Sequence, residues 1–409
     1  MRKLLILPAL ILSIYLLNGK TVEIARDNIH LREGPGCFHP VTLVLNKGAQ
    51  AQLLQENDQW LKIQYNEQTG WISHTALESV QQEESLFSTP FEDSEDETVS
   101  SASVSAAVRG FAQKYIDPTG GDISFLDNYD RMIITVPEYQ QFKRETYHNR
   151  NYQKIRSRYR RWNRFKSKDD FHINNYLEKT GLAVSAQIAQ QGLINDQKKL
   201  RYLNNVGTLI NEHSELYYYP AKFFIVKDER PAAYATPIGM IFITNGLLNF
   251  VKNEAELACL LGHELSHVIH KHGYKEIKAR KPRIEAQNAF AELEKEIPGE
   301  DTTAAQLSKL ANQMYEAATA KRQMKYEYQA DKCGAVYAFR SGYNPQSLVN
   351  LLARIKNNSE MDYENFESNW EAFYIKDRIE KLEKFIEREL YRRKNLSVSN
   401  QYRFQKNMQ

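Results

Sequence analysis

His263-Glu264-Leu265-Ser266-His267 is the stretch on which the reading of this chain turns. It sits in an apolar run, with Leu257, Leu260, Leu261, Val268 and Ile269 around it, as expected of a buried helix. On a helix the two histidines lie one turn apart, so both imidazoles leave the same face and can grip a single Zn2+. Glu264 is offset around the helix and reaches a metal-bound water without ligating the metal. Zinc lowers the pKa of that water toward neutrality, and the carboxylate can then take its proton. A pair of structural histidines would give the same letters, so the rest of a site has to come from elsewhere in the chain.

A catalytic zinc needs a third protein ligand and an open fourth position. The best downstream candidate is Glu327, in Glu327-Tyr328-Gln329-Ala330-Asp331. The segment from about Thr303 to Arg340 is rich in helix formers and is stopped by Gly342 and Pro345. Glu327 and Asp331 are at i and i+4 on one face. That spacing predicts Glu327 at the metal and Asp331 behind it, orienting a ligand histidine or a nearby arginine. Glu316, on the same predicted helix, is a rival without such a partner. Small Ala330 and Gly334 predict close helix packing. Cys259 and Cys333 lie near the two motifs and read as buried packing residues rather than ligands. Gly239 to Thr244 reads as a short strand before the metal helix. It reads as an edge that holds substrate backbone by strand addition, as an ordinary core strand, or as both.

The surrounding sequence resembles a family. Gly181-Leu182-Ala183, Val206-Gly207, Ala232-Ala233-Tyr234-Ala235-Thr236-Pro237-Ile238-Gly239, Ile241 to Leu248 and Asn253 to Ala258 lead into the His-Glu-Leu-Ser-His motif and on to the Glu327/Asp331 pair. This run resembles the M48 zinc metallopeptidases. The resemblance implies one zinc per chain held by His263, His267 and Glu327, with Asp331 and Arg378 behind the ligands. It further implies an α-rich fold and endopeptidase action on a protein or peptide substrate, often in membrane or envelope protein quality control. Two positions depart from the family pattern. Ala232 stands where asparagine is usual, and no histidine precedes Arg378-Ile379, where Thr-His-Pro is usual. Tyr374 and Arg378 are the candidates for the oxyanion stabilisation that this histidine would give. The missing histidine keeps a second reading open, a binding or chaperone protein with a weakly active peptidase fold. The intact Glu264 favours the enzyme.

The remaining sequence frames this core. A chain of 409 residues allows two or three domains. With 42% hydrophobic and 26% charged residues it is neither disordered nor collagen-like. Its 54 basic and 51 acidic residues nearly cancel, so no overall field draws it to nucleic acid. Three cysteines exclude a disulfide-stapled scaffold. Residues 1–18, with Arg2, Lys3 and the apolar run Leu4 to Leu17, read as a signal peptide or an uncleaved anchor. The run is too short to span a bilayer. It predicts an exported protein, in the periplasm or on the outer face of a bacterial membrane.

Residues 19–80 alternate in polarity between turns marked by Gly34-Pro35-Gly36, Asn46-Lys47-Gly48 and Thr69-Gly70, which predicts a small barrel. Asn28 to Pro35, Lys47-Gly48, Trp60 to Ile63 and Gly70-Trp71-Ile72 resemble the bacterial SH3-like domain. That resemblance implies a ligand in the cell wall or in the chain's own catalytic part. Residues 81–108 carry acids and serines but no Lys or Arg, and read as a linker. Residues 109–170 form a basic connector. In it Tyr152, Ile155, Tyr159 and Trp162 make an aromatic stripe, set either against the catalytic domain or on an anionic membrane. The peptidase domain is expected over 171–395 and a tail over 396–409. The predicted class is α+β and multi-domain, with a small all-β SH3-like barrel followed by a mainly α zincin-type domain carrying a short β-sheet.

Overall fold

The computed structural model describes residues 20–57, 59–79, 133–147, 175–277, 311–318, 323–358, 372–390 and 398–409. The leader, the acidic linker and the aromatic stripe lie outside the described residues. The chain divides into two compact units between Glu83 and Glu84.

The first unit is an antiparallel sheet of β1 (Thr21–Glu23), β2 (Ile29–Arg32), β3 (Val41–Leu45), β4 (Gln50–Glu56), β5 (Trp60–Tyr65) and β6 (Gln68–Ser73), in the order β1-β4-β5-β6-β2-β3. Alternation places Ile24, Leu31, Leu61, Ile63 and Ile72 in its core, and Trp60 is buried with them. One turn is not where the sequence puts it. The β5–β6 hairpin turns at Asn66 and Glu67, with Asn66 in the left-handed region at φ 52°, and Thr69-Gly70 lies inside β6. Gly70 serves packing instead, since a Cβ there would lie 2.7 Å from Leu31 Cγ and 2.9 Å from the Arg32 carbonyl oxygen.

The second unit is mainly helical around a three-stranded sheet. Its helices are α1 (Val136–Tyr147), α2 (Asn175–Ala189), α3 (Gln197–Glu212), α4 (Asn245–Phe250), α5 (Glu254–Ile269), α6 (Met324–Arg340), α7 (Gln346–Lys356), α8 (Ala372–Phe385) and α9 (Gln401–Met408). Strands β7 (Lys222–Val226) and β9 (Met240–Thr244) run parallel, and β8 (Ala233–Ala235) pairs antiparallel with β9. The order β7-β9-β8 puts the Met240–Thr244 strand in the centre, buried throughout. Of the two readings of that segment, the core strand holds, and the sheet edge beside the motif helix is β8.

Helix α5 carries the motif. Asn253 caps it by accepting from Glu256 N at 3.0 Å, and every residue from Glu254 to Ile269 is buried, the polar ones included. Lys271, at φ 51°, takes the left-handed position just beyond its end. Helix α6 lies against α5 at a glycine contact. A Cβ on Gly334 would sit 2.7 Å from His263 N and 2.8 Å from the Cys259 carbonyl oxygen. The two backbones therefore approach as closely as the small residues predict. The long helix expected from Thr303 is not continuous. Gln323 is extended at the start of α6, where its N–H donates to Glu276 Oε1 at 2.6 Å.

Residues 401–408, expected in a tail, fold as α9. Phe404 and Met408 are buried, and Asn400 and Arg403 donate to Glu254 at the start of α5. The first residues of the basic stretch belong to α1, where Phe142 is buried and Lys143 pairs with Glu212 at 2.9 Å. Among the described residues no helix is long and apolar enough to cross a membrane.

Candidate metal centre

His263 and His267 leave one face of α5, and Glu327 enters from the first turn of α6. The three side chains converge. The Nε2 atoms of the histidines are 3.1 Å apart, and each lies 3.5 Å from a Glu327 carboxylate oxygen. Among the described residues this is the only group of three potential ligands whose donor atoms come within 4.8 Å of one another. Glu264 stands next to it, with Oε1 4.0 Å from His263 Nε2. The close approach at Gly334 makes the convergence possible, because it brings the first turn of α6 within reach of the α5 imidazoles.

Asp331 lies one turn beyond Glu327 and accepts at 3.0 Å from His263 Nδ1. Arg378 on α8 donates to the same carboxylate through Nε at 2.8 Å and Nη2 at 2.7 Å, and its Nη1 stands 3.3 Å from Glu327 Oε2. Asp331 therefore meets both a ligand histidine and an arginine. Arg378 is 1% exposed and its three nitrogens face carboxylates, an arrangement that holds acids in place rather than reaching toward substrate. Burial pushes the Asp331 carboxyl up, but the Arg378 guanidinium and the hydrogen bond from His263 outweigh it and hold the group well below the usual carboxylate range.

The donor set suits a divalent cation. With Asp331 accepting at Nδ1, a neutral His263 keeps its proton there and turns the Nε2 lone pair toward His267 and Glu327. Glu264, Glu327 and Asp331 are each no more than 2% exposed, against a single buried guanidinium. Burial lowers the His263 imidazole, but its hydrogen bonds to Asp331 and Glu327 outweigh that and raise it to about 9; a cation among these acids and imidazoles would take the place of that proton. Two imidazole nitrogens and a carboxylate oxygen are the ligand types zinc takes with one position left open.

The other expected residues fall outside this convergence. Glu316 is exposed on the separate helical segment 311–318. Cys259 and Cys333 are buried away from the donor group. Burial pushes both thiols up, Cys333 to about 12, and Cys259 faces the Asn344 carbonyl oxygen at 3.8 Å. The side chain of Tyr374 lies outside the described residues. Sequence reasoning missed His272 and Gln329, which contact each other behind His267. The available signal was crowding, since four of the ten histidines fall within 263–272.

Fold and site together present a buried His-Glu-x-x-His helix whose histidines converge with a glutamate from a second helix. Residues 198–389 match the Peptidase family M48 model, and residues 27–78 match the bacterial SH3 domain model. The chain is 26% identical over 171 residues to the beta-barrel assembly-enhancing protease of Escherichia coli O157:H7, covering 40% of this chain and 34% of that protein. It is 25% identical over 173 residues to the beta-barrel assembly-enhancing protease of Yersinia pestis, covering 42% and 35%. The matched region thus spans about a third of the length of these curated relatives.

Proposed function

We propose that the chain is a zinc-dependent endopeptidase of the cell envelope, acting in protein quality control or processing. The observation that carries the reading is the convergence of His263, His267 and Glu327 in a buried, acid-rich set. Bound there, Zn2+ would supply a Lewis acid for the scissile carbonyl and for an attacking water. His263, His267 and Glu327 would hold the ion, and Asp331 and Arg378 fix the orientation of His263 and Glu327. Glu264 accepts the proton of the attacking water and returns it to the leaving amide nitrogen. The edge strand β8 packs on α5, and we assign it the substrate backbone, which would add as a further strand.

The apolar leader supports export to the periplasm or the outer face of a bacterial membrane. The SH3-like unit fits a tether or gate, with its ligand in the cell wall or in the peptidase unit. The basic stretch supports peripheral contact with an anionic membrane. The relatives' name ties them to β-barrel assembly, and a polypeptide substrate in the envelope is the part we extend to this chain.

The test is metal analysis with casein cleavage on wild type, Glu264→Gln and His263→Ala. We expect about one zinc per wild-type chain. Glu264→Gln should keep the zinc and lose hydrolysis, and His263→Ala should lose both. A Glu264→Gln chain that cleaves as fast as wild type overturns the reading.

A further inference from the structure

The two motif histidines are backed by different chemistry. His263 turns Nδ1 to the Asp331 carboxylate. His267 turns Nδ1 to a second imidazole, His272 Nδ1 at 2.9 Å, and His272 Nε2 stands 3.1 Å from the Gln329 amide oxygen. His272 is fully buried, and its ring stacks on Tyr326 with centroids 4.6 Å apart and 25° between planes. On a continuing helix, a residue five places on would point about 140° away from His267. The left-handed Lys271 ends α5 and returns His272 to the His267 ring.

We propose that His272 and Gln329 are positioning residues that fix the ring tautomer of His267 through an uncharged relay. The inference rests on the metal-centre reading above. An amide oxygen only accepts, so the 3.1 Å contact puts the His272 proton on Nε2. Neutral His272 then offers a lone pair at Nδ1, and the 2.9 Å contact requires the His267 proton on Nδ1. That leaves the His267 Nε2 lone pair facing His263 and Glu327, the form a metal ligand needs. Reversing the relay would protonate His267 at Nε2, 3.1 Å from His263 Nε2, and remove it as a ligand.

The test uses the full chain, zinc and two readouts. The first is the side-chain 15N–1H correlation spectrum of His267 in zinc-free and zinc-loaded protein, which should show a proton on Nδ1 in both. The second is the zinc dissociation constant by chelator competition. His272→Phe keeps an aromatic ring against Tyr326 but offers no acceptor, and Gln329→Leu removes the end of the relay. Each should weaken zinc binding about 10- to 100-fold. Gln329→Glu restores an acceptor for His272 Nε2–H and should recover most of the Gln329→Leu loss, which a purely packing role would not produce. A His267 proton on Nε2, or zinc affinity within about twofold of wild type in Gln329→Leu, refutes the relay. Should His272→Phe fail to fold, the exposed Gln329 pair reads the same relay. His263→Ala separates the two readings. Zinc retained there removes the metal centre itself, while the wild-type His267 tautomer still judges the relay.

Discussion

Replacing Gly334 by alanine puts a methyl group between two helix backbones. Its Cβ would lie 2.7 Å from His263 N, 2.8 Å from the Cys259 carbonyl oxygen and 3.1 Å from His263 Cα. None of these atoms can rotate away. Restoring ordinary contact at 3.4 Å from 2.7 Å means parting α5 and α6 by about 0.7 Å. Such overpacking costs about 2–3 kcal/mol, and the better helix propensity of alanine returns about 1 kcal/mol. The net loss of about 1–2 kcal/mol corresponds to a melting point lower by about 2–8 °C for a domain of this size. The effect on metal should be larger. Ligand distances tolerate about 0.2 Å, and Glu327 rides on the helix that moves. We expect zinc affinity, by chelator competition, to fall more than about tenfold while the zinc-free protein stays folded. Gly262→Ala is the graded control. Its Cβ meets Gly334 Cα at 3.0 Å, so the strain is smaller and the propensity gain offsets most of it. If Gly334→Ala melts no lower than wild type and holds zinc equally well, the contact does not position the site.

The remaining predictions address the surroundings. Asp331→Ala should weaken zinc binding about 10- to 100-fold by freeing the His263 ring, while Glu316→Ala should leave it unchanged; equal effects would remove Asp331 from the site. Arg403→Ala leaves the buried Glu254 carboxylate with only neutral donors from Tyr202 at 2.6 Å, Tyr343 at 2.7 Å and Asn400 at 2.8 Å. It should cost about 3 kcal/mol in a urea melt, and a change under about 1 kcal/mol would show that α9 is dispensable there. In native protein at pH 8 iodoacetamide should spare Cys37, Cys259 and Cys333, which are all buried, and label all three in urea; fast native labelling would contradict their placement. The basic stretch should carry the chain down with anionic vesicles and release it at high salt, and equal binding to neutral vesicles argues against a charged membrane contact.

The helical period explains why so much of the site was legible in the sequence. One turn links His263 to His267 and Glu327 to Asp331, and small residues at Ala330 and Gly334 announce the close packing that joins the two pairs. What local sequence cannot give is partnership over distance. Whether Met240–Thr244 is an edge depends on its parallel pairing with β7 and its antiparallel pairing with β8, and nothing within the strand encodes that. His272 escaped notice because its position depends on a non-glycine residue, Lys271, in a left-handed conformation. The C-terminal helix is mostly polar and looks like a tail until Glu254, far back in the chain, supplies the partner for Arg403.

The same electrostatic logic accounts for both ends of α5. At its start the buried Glu254 carboxylate gathers donors from α3, α9 and the turn after α6, including Arg403. Its charge is answered by protein, and the result ties four segments together. Near its end three buried carboxylates, Glu264, Glu327 and Asp331, cluster with Arg378, His263 and His267. An acid so deeply buried is tolerated when its charge is answered. At the first site the answer is a side chain and the role is architectural. At the second the partners are one guanidinium and two imidazoles whose nitrogens converge with Glu327. A helix that closes one acid with protein partners, and gathers others around two converging imidazoles, is organised to receive a dication at the second place.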